Sequence, residues 1–184
     1  MPIIIAIVVI LLVVALFVIS IYNKLVSLRN LKDNAWSQID VALQRRFDLI
    51  PNLVETVKGY MNHEDSVLTK IAELRTSWAN ANTVSDKANL DGELSTTLKS
   101  LFAVAENYPE LKANTNFIQL QEELGSTEDK VATTRSQYNN YATSYNTALD
   151  VFPSNIIGGM FSFKRADLFE VANDEVREAP KVKF

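Results

Sequence analysis

The sequence predicts an all-α protein: a single N-terminal transmembrane helix continuing into an antiparallel up-down-up-down four-helix bundle with two long and two short helices. Three observations predict it. Residues 3–21, IIIAIVVILLVVALFVISI, carry no charged side chain. Beyond that run, apolar residues recur every three or four positions, the spacing of a helix face. Glycine and proline are scarce, five of each, too few for the many tight turns of a β-sandwich.

The apolar run comes first. At a rise of about 1.5 Å per residue, nineteen helical residues cross a hydrocarbon core of about 30 Å. A helix satisfies its own backbone in lipid, and a strand of this length has no counterpart in soluble proteins. Ile3, Ile10, Phe17 and Ile21 mark the expected membrane-spanning positions. No Lys or Arg precedes the run and no small-x-small cleavage site follows it, so it reads as an anchor and not a cleaved signal peptide. The absence of cysteine excludes a lipoprotein signal and a disulfide framework. Lys24, Arg29 and Lys32 follow the span and only Met1 and Pro2 precede it. The positive-inside rule therefore places the N-terminus outside and the rest of the chain in the cytoplasm. Tyr22 occupies an interfacial aromatic position.

About 160 residues remain, enough for one domain with a core. Residues 22–60 hold six basic and four acidic side chains; residues 61–184 hold twelve and eighteen. A mainly acidic domain argues against nucleic acid as a partner.

A heptad-like stripe follows the anchor: Leu25, Leu28, Ala35, Ile39, Ala42, Leu49, Leu53, Val57 and Tyr60, with Lys32 and Arg46 in the seam. Trp36, Leu43, Phe47, Ile50 and Val54 widen it to a core-facing surface. Nothing between Ile21 and Leu25 breaks a helix except Asn23, so anchor and first soluble helix are expected to be continuous. Pro51 predicts a kink. Gly59 to Asn62 reads as a helix end, with Asn62 as the next N-cap and Asp65 at N3. Helix two shows Val67, Leu68, Ile71, Leu74 and Trp78. Helix three, with Ser85 and Asp86 as its cap, shows Leu90, Leu94, Leu98, Leu101, Phe102 and Ala105 before Tyr108-Pro109 stops it. Asn114 or Thr115 caps a long helix four running through Phe117, Leu120, Leu124, Val131, Tyr138, Ala142, Tyr145 and Leu149, with Gly125 its weak point. Pro153 ends that helix or begins a short one. Tyr138, Tyr141 and Tyr145 read as an aromatic outer face able to pack on a second copy.

The expected organisation is an anchor (residues 1–22), the bundle (23–152), an apolar and aromatic C-terminal segment (153–171) and a disordered tail (172–184). In an up-down-up-down bundle helix four returns toward the membrane, bringing residues 152–169 with it. There, Phe161, Phe163, Lys164 and Arg165 are candidates for membrane contact, apolar rings beside cations for anionic lipid. The alternative is that this segment caps the open end of the bundle.

Chemistry-bearing constellations are sparse. One histidine and no cysteine give no metal-ligand set, and His63-Glu64-Asp65 lacks the second histidine of a zinc-binding helix. Gly158-Gly159 lacks the strand and helix context of a phosphate loop. No catalytic residue, metal or cofactor is expected. Arg46, Glu128 and Arg135, polar residues on the seams of the two long helices, are candidates for an internal ion-pair network that fixes register. The alternative is that they snorkel to the bundle edge.

At these residues the chain resembles a family. Tyr22-Asn23-x-Leu25-Val26-x-Leu28-x-Asn30, Ala35-Trp36-Ser37-Gln38-Ile39-Asp40-Val41 and Arg45-Arg46-Phe47-Asp48-Leu49-Ile50-Pro51-Asn52-Leu53-Val54 carry the first part, with Tyr60 and His63-Glu64. Ala105-Glu106-Asn107-Tyr108-Pro109-x-Leu111-Lys112-Ala113-Asn114 and Phe117-x-x-Leu120-Gln121-x-Glu123-Leu124 carry the middle. Tyr138-Asn139, Tyr145-Asn146-Thr147 and Phe152-Pro153-Ser154-Asn155-Ile156-Ile157 complete it. The pattern, over residues 22 to about 169, is similar to that of the LemA family. Gln44 departs from a Lys usual there, and Gly158-Gly159 from a position often held by Ala. The resemblance implies a single-span protein of the bacterial cytoplasmic membrane with a cytoplasmic four-helix domain and no agreed biochemical activity. It also implies a link to membrane shaping, through a relative associated with magnetosome membranes.

Function is accordingly expected to be non-enzymatic. The first expectation is a membrane-anchored scaffold, partnered by lipid and by copies of itself, that organises or remodels the membrane. The second is a cytoplasmic-face adaptor for another envelope protein, a membrane protease or signalling component.

Overall fold

The structure, a computed structural model, describes residues 1–61 and 65–170, the side chain of Asp65 excepted. It is all-helical, with no strand among the described residues. Among the described residues seven helices follow in order: α1 (Pro2–Asp48), α2 (Ile50–Lys58), α3 (Asp65–Asn80), α4 (Val84–Ala105), α5 (Pro109–Lys112), α6 (Thr115–Asp150) and α7 (Ser154–Met160). The expected cap at Asn62, the residues His63 and Glu64, and the expected tail at 172–184 lie outside the described residues.

Helix α1 carries the apolar run and the first amphipathic stripe without a break, 47 residues in all. The N-terminal part is long and apolar enough to cross a membrane, and none of it is buried within the protein. One-sided burial starts at Leu25 and continues through Ala35, Ile39, Ala42, Leu43, Arg46 and Phe47. The helix stops at Asp48, three residues before the expected kink at Pro51. Pro51 has no N–H to offer the Phe47 carbonyl and crowds it, but it is tolerated in a first turn, so a new helix begins at Ile50.

The remaining boundaries follow local chemistry. Thr83, not Ser85, caps α4: its backbone is extended and its hydroxyl accepts from the Asp86 N–H at 3.0 Å. Threonine at position 83 with aspartate three residues on is the capping spacing, which Ser85 cannot supply to Asp86. Asn114 caps α6, its side-chain oxygen accepting from the N–H groups of Asn116 (2.9 Å) and Phe117 (3.1 Å). Pro109 both stops α4 and starts the single-turn α5, which the sequence reading did not separate.

The chain forms two compact units, one of Met1–Gln38 with Ser136–Leu168, the other of Ile39–Arg135 with Phe169 and Glu170. In the first unit, α1 and the C-terminal half of α6 are joined by Trp36 and Tyr138, ring centroids 5.5 Å apart. In the second, α3 packs on α2 and α4. Phe47 and Trp78 stack there at 4.4 Å and 11°.

Candidate membrane-contact site and buried ion-pair cluster

In the first unit the chain beyond α6 folds back onto α1 just past the apolar run. Phe161 and Phe163 lie 4.8 and 5.7 Å from the ring of Tyr22. The Arg29 guanidinium stands 5.2 Å over Phe163. Arg165 pairs with Asp150 at 2.5 Å, both on the surface. Lys164 is exposed. Ile157 and Gly158 form the inner face of α7, and a side chain at 158 would meet Leu149 at 2.8 Å.

The segment is fastened by two polar side chains of α6. Asn146 binds the backbone of Ala166 through both its amide atoms. The Tyr138 hydroxyl donates to the Asp167 carbonyl at 2.7 Å. Burial, with Asp167 and Asp33 adding to it, pushes the Tyr138 hydroxyl up to about 12. Tyr145 is buried beneath Lys32, whose ammonium lies 5.6 Å from the ring. Burial raises its pKa too, Arg29 opposing and Asp33 assisting. Tyr138 and Tyr145 are thus not the outer aromatic face expected from sequence; each is 2% exposed, because the C-terminal segment and α1 cover them.

The second unit holds the charged cluster. Arg46, only 1% exposed, meets Asp91 of α4 at 2.5 Å and Glu128 of α6 at 3.2 Å. Burial raises the Asp91 carboxyl above its ordinary range, and the Arg46 guanidinium opposes that. Among the described residues, Nε of Arg46 finds no hydrogen-bond acceptor, and Nη2 faces Glu128 at 3.2 Å as an ion pair without hydrogen-bond geometry. Arg135 makes no ion pair with either carboxylate among the described residues; its guanidinium lies 5.7 Å over the Phe169 ring. The sequence reading therefore brought Arg46 and Glu128 together but left out Asp91. The signal was present: Ala88, Asp91, Leu94, Leu98, Leu101 and Ala105 share one helical row, with a carboxylate standing in it.

Nearby, Gln44 links α1 to α3. Its side-chain oxygen accepts from the Trp78 indole at 3.2 Å, and its amide donates to Asp48 at 2.8 Å. Lys87 pairs with Asp40 and lies 4.9 Å from the Trp78 ring. These are packing and register contacts. Among the described residues no group of three acidic or histidine side chains is placed to hold a metal ion.

A family model described as LemA family matches residues 35–184. The chain belongs to the LemA family. Among curated members it is similar to Protein LemA of Metamycoplasma hominis, 29% identical over 163 residues, 87% of this chain and 71% of that protein. It is also similar to Magnetosome protein MamQ 2 of Paramagnetospirillum magneticum, 27% identical over 175 residues, 81% of this chain. Magnetosome protein MamQ of Magnetospirillum gryphiswaldense is 24% identical over 174 residues, 80% of this chain. The chain spans 64% of the length of these two magnetosome relatives. The LemA match begins at Ala35, past the apolar run, and includes the Arg46 cluster and the returning C-terminal segment.

Proposed function

We propose that this LemA-family chain is a single-span, non-enzymatic membrane scaffold that self-associates and organises or remodels the bacterial envelope membrane. The observation that carries the reading is the character of α1. Val8, Val9, Ile10 and Leu11, successive residues about 100° apart around the helix, are 56%, 54%, 61% and 62% exposed, so the helix is bare on all sides and turns one-sided only at Leu25. Soluble monomers rarely expose apolar patches beyond a few hundred Å². Lipid is the solvent that removes this mismatch. Lys24, Arg29 and Lys32 then favour a cytoplasmic domain and an outer N-terminus in the cytoplasmic membrane. The four-helix arrangement expected from the sequence, with α1 and α2 together as its first helix, is part of this reading.

Self-association belongs to the proposal because one span displaces little lipid, whereas an array sums many small perturbations. That two similar proteins bear the name magnetosome protein supports a role at a membrane. The test is reconstitution of the full chain into vesicles followed by cryo-electron microscopy. Ordered assemblies and altered vesicle outlines are expected. A monomer at every concentration in vesicles of unchanged shape overturns the scaffold, and a stoichiometric complex with one envelope protein favours the adaptor instead.

A further inference from the structure

The chain leaving α6 exposes more apolar surface than its packing requires. Phe152 is 78% exposed, Met160 71%, Ile156 53% and Phe161 51%. Ile156 and Met160 stand one turn apart on α7, while Ile157 and Gly158 take the inner face. The patch has a fixed level along α1. Phe161 touches Tyr22, the residue that follows the apolar run, at 4.8 Å. A ring against the first residue past a membrane span lies at the boundary between acyl chains and headgroups. Exposed Lys24 and Lys164 belong to the same unit, where cations meet anionic headgroups.

We infer that α7 and its flanks are a second, shallow membrane contact, with Phe152, Ile156, Met160 and Phe161 inserted into the leaflet at which α1 emerges. The occupant of this face is lipid, because the face is continuous with a span whose own solvent is lipid; the inference thus rests on the anchor reading above. Phe163 and Arg165 serve otherwise, being taken up by Tyr22 and Arg29, and by Asp150. Insertion on one side of the bilayer enlarges one leaflet only, which gives the proposed scaffold a means of bending it.

The chain contains no cysteine, so single-cysteine variants of the full protein accept one nitroxide label each. Ile156→Cys, Met160→Cys, Ile10→Cys and Val41→Cys are reconstituted into phosphatidylethanolamine and phosphatidylglycerol vesicles, and label collisions with oxygen and with a water-soluble nickel chelate are compared. Val41, 71% exposed, serves as the aqueous reference. The expected result is an oxygen-to-nickel ratio at Ile156 and Met160 several-fold above that at Val41 and below that at Ile10. Lipid-like values at Ile10 with Val41-like values at Ile156 and Met160 overturn this inference and leave the anchor intact. Exclusion of both reagents from positions 156 and 160 means protein covers the face, and also overturns it. A water-like value at Ile10 removes the anchor reading and this one with it.

Discussion

Asn146 and Ala166, twenty residues apart, are bonded in both directions: the Asn146 amide donates to the Ala166 carbonyl at 2.9 Å and its oxygen accepts from the Ala166 N–H at 2.8 Å. One side chain thereby does for an irregular segment what a neighbouring strand does in a sheet, satisfying both backbone groups of a residue that has no helix to serve it. The C-terminal return is ordered by this clasp.

Removing the clasp is expected to release the segment while leaving the helices. Asn146→Ala orphans a part-buried donor and acceptor at about 1–3 kcal/mol each. Asn146→Asp keeps the acceptor and has the smaller effect. Amide hydrogen exchange reads this directly: residues 161–168 lose protection in the alanine variant and helix content holds. Unchanged protection there shows that the clasp is not what orders the segment.

The Arg46 cluster predicts an asymmetry between breaking and replacing. Asp91→Ala leaves a buried guanidinium with only the half-exposed Glu128 beside it, and a cost of about 3–5 kcal/mol is expected. Arg46→Met with Asp91→Leu recovers most of that loss, since an apolar pair of similar volume carries no desolvation penalty. Urea denaturation of the wild type, Asp91→Ala and the double variant measures both effects. A cost below about 1 kcal/mol for Asp91→Ala, the range of surface pairs, contradicts the buried placement.

Tyr138 gives an alkaline signature. Its hydroxyl, ordinarily near 10.0, is pushed up to about 12. The folded state then holds this proton longer than the unfolded chain does, so stability falls as pH rises through that window. Tyr138→Phe has no proton to lose there and follows a flatter stability profile between pH 10 and 12. At neutral pH it is less stable by about 1 kcal/mol, because the Asp167 carbonyl loses its donor. Thermal melts of both proteins across the pH series separate the two contributions.

The paired glycines of α7 are expected to differ. A Cβ at Gly159 meets nothing within 4 Å, and Gly→Ala there gains about 0.5–1 kcal/mol of helix preference. At Gly158 the same change sets a Cβ 2.8 Å from the Leu149 side chain, which must move. Hydrogen exchange of α7 thus slows in Gly159→Ala and gains less, or speeds up, in Gly158→Ala.

Gln44 tests a single polar contact between α1 and α3. Lysine has no acceptor, so Gln44→Lys strands the Trp78 indole N–H, and a loss of about 1 kcal/mol is expected by urea denaturation. Gln44→Glu, which retains an acceptor, loses less.

The helix faces were legible because burial imposes a period on sequence: Leu25, Ala35, Ile39, Ala42, Arg46, Leu53 and Val57 were read as one seam and are all buried. Caps were half legible. Asn114 is among the residues named, whereas Thr83 is missed in favour of Ser85, because the adjacent Ser85-Asp86 pair draws attention away from the three-residue spacing between Thr83 and Asp86. Asp91 was passed over because Leu90 beside it drew the apolar face one residue aside. Tyr138 and Tyr145 belong to the apolar stripe of the long helix, as its period indicates, and not also to an outer aromatic face; nothing local announces that residues 161–168 come back to cover α6. That return depends on single hydrogen bonds across twenty to thirty residues, which leave no period to detect.

Helix α1 passes from Ile21 to Leu25 without a hinge. On the proposed anchor, any change in the tilt of the apolar run is therefore carried stiffly into the residues that follow it in the same unit. Bilayers of different thickness demand different tilts of a fixed apolar length. The returning segment, held to α1 at Tyr22 and Arg29, must rise or sink with it, so the proposed anchor implies a protein mechanically coupled to the thickness of the bilayer.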